Sequence, residues 1–357
     1  MTMENIIRNY NEWLSRQNTD GMSIGLLDGQ MGLCIYWYQQ DRLYKDKGYG
    51  RLADELLDEV LLRVEKCPVF DFEEGILGIG FGILYLLEHK YVEGKANDIL
   101  LELDEKIFQQ LYFGHIAKVR KNTHELFNLT WGLLYLAQRM KCGMREIPDS
   151  SLYRGVLVKG VNALELSLRD VSIREPLCFS LTNYFTPIYV RLLTEMYRLN
   201  LYEDKIDMIC KRLWEKLYSL TPCRMGNRMV LGSELESLVD CLGGKSFVCR
   251  FSSYIEMLSS GMDISKFLLH GFADRQLSIE NGMAGMLLYL CSTHTLVNST
   301  IDEKLLDEKI VSSSLWNNWR ESHLWDESIR VDTSMYTGLS GIIFSYQRFM
   351  LGEKCQV

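Results

Sequence analysis

The chain has 357 residues, a formal net charge of −8 and 47% hydrophobic residues, which is ample for a large core but lacks the Lys/Arg excess that nucleic-acid phosphates require. No basic run or basic amphipathic helix points to a membrane surface, and Met1 to Arg8 lacks the apolar core of a secretory signal. The ten cysteines have no paired spacing, and Cys34, Cys210, Cys241 and Cys291 fall in apolar helical stretches, so they read as reduced thiols with the cytosol as the simplest compartment.

The first informative stretch runs from Gly25 to Tyr36, with Gly29 and Gly32 opening an apolar segment. Arg51 to Lys66 then reads as a one-sided helix whose apolar stripe is Leu52, Leu56, Leu57, Val60, Leu61 and Val64. Next comes Glu73-Glu74-Gly75-Ile76-Leu77-Gly78-Ile79-Gly80-Phe81-Gly82, a glycine-studded turn running into 12 residues without a charge, Ile76 to Leu87. That segment is apolar on every side, as in a helix covered all round by protein, and it is too short to cross a bilayer.

A second amphipathic stripe follows at Ile99, Leu103, Ile107 and Leu111, then a weaker glycine copy at Leu129 to Leu136 around Gly132. Thr182 to Pro187 leads into Ile188 to Leu193, with the proline suited to a first helical turn. Ile206, Ile209, Leu213, Leu217 and Leu220 form another stripe, and Ser233-Glu234-Leu235-Glu236 has capping-box spacing. Strong glycine copies return at Asn281 to Leu290 and Thr337 to Phe344, separated by a polar-rich helix over Asp302 to Trp319.

The last glycines fall at 32, 82, 132, 285 and 341, at intervals of 50, 50, 153 and 56. Because 153 is three times 51, two degenerate copies belong near 183 and 234, where helical signals indeed lie. Seven all-apolar helices alternating with one-sided ones predict two concentric layers, an all-α fold that becomes an α/α toroid if the ring closes. The even spread of repeats from 25 to 341 predicts one domain over 1–357.

The Gly-x-x-Gly turns at 29/32, 282/285 and 338/341, with the related Gly75 to Gly82 stretch, resemble the lanthionine cyclase (LanC-like) family over essentially the whole chain. That resemblance implies a toroid of seven inner and about seven outer helices around a cavity, with a peptide substrate. It also implies one zinc, held near the mouth by two cysteines and a histidine from Trp-Cys-Tyr-Gly and Cys-His-Gly motifs. Such a zinc activates a peptide cysteine thiolate for addition to dehydroalanine or dehydrobutyrine.

This sequence departs at those positions. Before Gly282 stand Glu280 and Asn281, and neither Arg224-Met225-Gly226 nor Leu231-Gly232-Ser233-Glu234 has the expected cysteine. Cys223 and His270 are the remaining partial echoes. A zinc thiolate site needs soft ligands, so no zinc and no other cofactor is expected, and the chain reads as a pseudoenzyme.

Acidic residues instead gather at the glycine turns: Asp28, Glu73, Glu74, Glu280 and Asp332, with Glu234 at an inferred copy. Each alone is explained by capping, since a carboxylate opposes the positive end of a helix. Together with Asn281 and Tyr336 they form a candidate binding rim for a cationic or flexible peptide, with Tyr36, Tyr85, Tyr135 and Tyr289 either adding contact surface or simply packing. The leading reading is a peptide- or protein-binding LanC-like protein in ribosomal peptide maturation. The alternatives are a cyclase with an atypical site and a glycan hydrolase working through a carboxylate pair such as Asp28 and Glu280.

Overall fold

The computed structural model describes residues 3–116, 123–143, 150–168, 175–217, 219, 221–273, 276–292, 302–324 and 331–352. Among these there is no β-strand, only an isolated bridge between Ser23 and Gly29, and no helix is long and apolar enough to cross a membrane. The chain divides into two compact units, one comprising 1–67, 178–181 and 262–357 and the other 68–177 and 182–261.

In the first unit α1 (Met3–Leu14) is followed by α2 (Gln30–Tyr44) and α3 (Lys47–Val64). The unit is completed by α13 (Ile264–His270), α14 (Met283–Ser292), α15 (Glu303–Val311), α16 (Ser314–Leu324) and α17 (Leu339–Met350). Helix α2 packs on α3 and α17, and α17 packs on α14. Every residue of α2 from Gln30 to Gln40 is buried, as its all-round apolar pattern requires. Asn11, Tyr36 and Gln40 are paired inside this core: Asn11 Nδ2 donates to Gln40 Oε1 at 3.0 Å, and Tyr36 donates to Asn11 Oδ1 at 2.5 Å.

Helix α3 covers α2 with Ala53, Leu56 and Val60, while Leu61, assigned to its apolar stripe, is 40% exposed. The helix expected over Asp302 to Trp319 is two helices. Asp302 caps the first through the amides of Lys304 and Leu305, and Ser313 restarts the second by accepting from the Trp316 amide.

In the second unit α4 (Ile76–Glu88) precedes the short α5 (Ala96–Ile99), α6 (Leu101–Gln109) and a π-helical turn, Gln110–His115. The stripe from Ile99 to Leu111 is thus broken rather than one helix. Then come α7 (Thr123–Lys141), α8 (Ser150–Ser167), α9 (Phe185–Arg198), α10 (Glu203–Leu217), α11 (Met225–Leu242) and α12 (Val248–Ser259). Helix α7 packs on α4, α8 and α9, and α11 packs on α9 and α12.

Gly132 lies inside α7, not in a turn. It is small because the Leu111 side chain fills the space where its Cβ would sit. Behind it Arg139 and Asp104 form a fully buried ion pair, with Arg139 Nη2 2.7 Å from Asp104 Oδ2 and the Tyr135 hydroxyl donating to Asp104 Oδ1 at 2.7 Å. Nη2 also lies within hydrogen-bond distance of Ala96 O and Asn97 Oδ1, and Nη1 donates to Cys142 O, which ties the end of α7 to the start of α5.

Candidate binding site at the glycine turns

Four helices begin in the same way. Gly29, Gly75 and Gly338 are the residues before α2, α4 and α17, and all three have extended backbone with φ between −133° and −98°. Any residue adopts such angles, so the glycines are required by space. A Cβ on Gly29, Gly75, Gly282 or Gly338 would sit no more than 2.6 Å from a carbonyl oxygen six residues upstream, that of Ser23, Val69, Gln276 or Asp332. The loop curls back over the helix start, and the same carbonyl accepts the first helical amide: Gln30 N at 2.8 Å, and Ile76 N, Met283 N and Leu339 N at 3.0 Å each. A backbone carbonyl thereby does the work of a capping side chain.

The second glycines, Gly32, Gly285 and Gly341, repeat the relation against Leu26, Ile279 and Met335. The repeat therefore registers Gly75 and Gly78 with Gly29 and Gly32, four residues earlier than counting from Gly82 implies.

In the first unit three of these turns are joined edge to edge. Tyr336 N donates to Leu27 O, and Glu280 N donates to Tyr336 O, both at 3.0 Å. These bonds bring Asp28, Thr337, Glu280 and Asn281 to one rim. The Thr337 hydroxyl lies 2.6 Å from Asp332 Oδ2 and 3.5 Å from Asp28 Oδ1, and Ser334 N donates to Asp332 Oδ1 at 3.0 Å. Partial desolvation holds the Asp28 carboxyl above the ordinary aspartate value; the Ser334 hydroxyl opposes that rise and the Asp332 charge adds to it. Asn281 Nδ2 donates to Glu280 Oε2 at 3.3 Å, and Ser278 Oγ lies 3.4 Å from Asn281 Oδ1. The Tyr336 ring is only 4% exposed, so its part in the rim is played by its backbone.

Thus Asp28, Glu280, Asn281, Asp332 and Tyr336 come together, and the other expected residues lie in the second unit. Glu73 and Glu74 are exposed beside the α4 turn. The amides of Glu74 and Gly75 both donate to Asp71 Oδ1 at 2.8 Å, so Asp71 is the acid that organises this turn. Its signal was an aspartate four residues before the glycine, as in an Asx turn.

Glu234 requires a correction. Helix α11 starts at Met225, so Ser233 and Glu234 lie in mid-helix rather than at a start, and Glu234 Oε1 accepts from Arg191 Nη2 at 2.6 Å in a largely buried pair. The capping-box pattern was a coincidence of spacing within a continuous helix. The actual start is held by Glu175, whose carboxylate accepts from Cys223 N at 2.7 Å, Arg224 N at 2.9 Å and Asn227 Nδ2 at 3.0 Å. The inferred start near 183 is sound: α9 begins at Phe185, with Pro187 in its first turn. Of the tyrosines, Tyr36, Tyr135 and Tyr289 are core residues and Tyr85 is half-buried.

The donors at the aligned turn do not suit a zinc thiolate centre. Glu280 and Asn281 offer oxygen and an amide, already bonded to each other, where sulfur and imidazole are needed. Cys223 is exposed in the second unit, His270 ends α13 in the first, and among the described residues no group of three or more His, Cys, Asp or Glu side chains is arranged to hold a metal ion.

No protein-family model matches this sequence, and no curated protein does. Among solved structures, a chain named nisin cyclase superposes with a TM-score of 0.52 at 15% identity, covering 98% of this chain and 94% of that one. Likeness at that identity is one of fold, and α2, α4, α7, α9, α11, α14 and α17 supply the seven helices that the repeat predicted. The chain has the all-α, α/α toroid fold of a LanC-like protein.

Proposed function

We propose that this chain binds a peptide segment carrying positive charge at the joined turns before α2, α14 and α17, as a LanC-like participant in lanthipeptide-type maturation that works without the zinc centre. The observation that carries this is the convergence of Asp28, Asp332 and Glu280 on one rim fixed by the two Tyr336 backbone bonds. Like charges held together raise one another's energy, and a cationic ligand relieves that repulsion. Each exposed carboxylate–ammonium contact contributes only about 0.2–1 kcal/mol, so recognition requires several at once and falls with salt. The zinc-free part of the reading rests on the donor chemistry of Glu280 and Asn281.

The test is fluorescence anisotropy of purified protein with labelled Lys-rich and Glu-rich peptides of equal length, at low and moderate salt. Lys-rich peptide is expected to bind, to weaken with salt, and to weaken in Asp28→Asn/Asp332→Asn. Equal binding of both peptides, or of neither, overturns the reading. Plasma mass spectrometry addresses the metal: stoichiometric zinc that disappears in Cys223→Ala or His270→Ala would reverse the zinc-free assignment.

A further inference from the structure

Helix α4 buries every residue from Ile76 to Leu86 except two aromatics, Phe81 and Tyr85. Phe81 does not stand alone. Phe72, from the loop before α4, and Trp131, from α7, lie with ring centroids 4.1 Å apart and planes only 13° from parallel, and Phe81 meets them edge-on at 5.4 and 5.9 Å. Phe72 and Phe81 are half-buried, and the next two residues after Phe72 are the exposed carboxylates Glu73 and Glu74. The loop that carries all three is fixed, because Asp71 holds the Glu74 and Gly75 amides and Ile76 N donates to Val69 O. A packed aromatic shelf with a negative edge is therefore presented without any ordering of its own.

We infer that this shelf is by itself a contact for peptides of the class proposed above, selecting a segment in which a basic side chain adjoins a bulky apolar one. The apolar group lies against the Phe72 and Phe81 rings, and the basic group faces Glu73 and Glu74. The occupant follows from charge complementarity: a guanidinium or ammonium group is drawn both to the carboxylates and to aromatic ring faces. Preorganisation makes the contact effective, since the rings lose little freedom on binding. The inference rests on the peptide-binding reading but draws on different residues in a different unit, so the two can fail separately.

The experiment uses the full chain and labelled Gly/Ser peptides of equal length with a central Arg-Phe, Arg-Ala or Glu-Phe. Arg-Phe is expected to bind about five- to tenfold more tightly than Arg-Ala, and Phe72→Ala is expected to abolish that difference while leaving Arg-Ala affinity unchanged. Glu74→Gln narrows the gap between Arg-Phe and Glu-Phe. As a second readout, Arg-Phe shifts the indole emission of the native protein, and Trp131→Phe removes the shift. Circular dichroism checks that each variant is folded. If the peptides bind without distinguishing Phe from Ala, or if Phe72→Ala binds Arg-Phe like the native chain, the shelf assignment is overturned while the rim reading stands. Loss of discrimination in Phe72→Ala with unchanged binding in Asp28→Asn/Asp332→Asn supports the shelf and removes the rim; absence of any binding removes both.

Discussion

Asp28 and Asp332, 304 positions apart in the sequence, meet at a single hydroxyl, that of Thr337. The meeting leaves Asp28 with a raised proton affinity, chiefly because its charged form is partly desolvated and then because Asp332 is near. A carboxyl whose folded-state value lies above its unfolded value favours the folded state most at low pH, and that contribution is lost as pH rises through the raised value. Asp28→Asn is therefore expected to be slightly more stable than the native chain at pH 7, by about 0.5 kcal/mol or less because the group is solvent-screened, which for a chain of this length corresponds to about 1 °C or less in Tm. The difference vanishes below the ordinary aspartate range. Thermal melts across pH check both the sign and the window; cationic peptide affinity should fall over the same range on acidification.

The glycine turns yield a contrast in one substitution type. Gly338→Ala places a methyl 2.5 Å from Asp332 O and Ser334 N, both backbone atoms that must move. A loss of about 2–4 kcal/mol is expected. Gly155→Ala in α8 has nothing within 4 Å and replaces a helical glycine, so a gain of about 0.5–1 kcal/mol is expected. Urea unfolding of the two variants separates close approach from simple flexibility.

Removing one half of the buried pair should be severe. Arg139→Met leaves the Asp104 carboxyl uncompensated at zero exposure and is expected to cost about 3–5 kcal/mol. Arg139→Met/Asp104→Leu should recover part of that loss, the remainder reflecting the Tyr135 hydroxyl left without its acceptor. A double-mutant cycle in urea measures the coupling.

Thiol chemistry provides a map of burial. Cys178, Cys223 and Cys249 are exposed and should react promptly with a disulfide reagent at neutral pH. Cys34 and Cys210 are buried; desolvation raises both thiols, that of Cys210 to about 12, and the nearby Asp207 adds to the rise. Labelling of Cys34 and Cys210 should appear only on denaturation, as peptide mass spectrometry would record.

Local and periodic features were legible in the residues themselves. An all-round apolar segment has to be buried wherever it ends up, and a glycine pair three apart marks a place where a backbone passes too close for a side chain; these two constraints placed α2, α4, α14 and α17. The capping-box pattern at Ser233 misled because it is satisfied inside a helix as readily as at its start, and the actual start at Met225 depends on Glu175, 50 residues upstream. Thr337 and the Phe72–Trp131 stack were likewise invisible, since each owes its role to a partner placed by the fold.

What the sequence determined alone was therefore the helical repeat, its acidic turns and the missing sulfur and imidazole before Gly282. What only the tertiary structure decided was which acids share a rim and which, like Glu234 with Arg191 of α9, are consumed by a cation from another helix. Burial and steric exclusion act on one residue at a time and leave a mark in its identity, whereas the charge a residue feels is set by neighbours that chain order does not reveal.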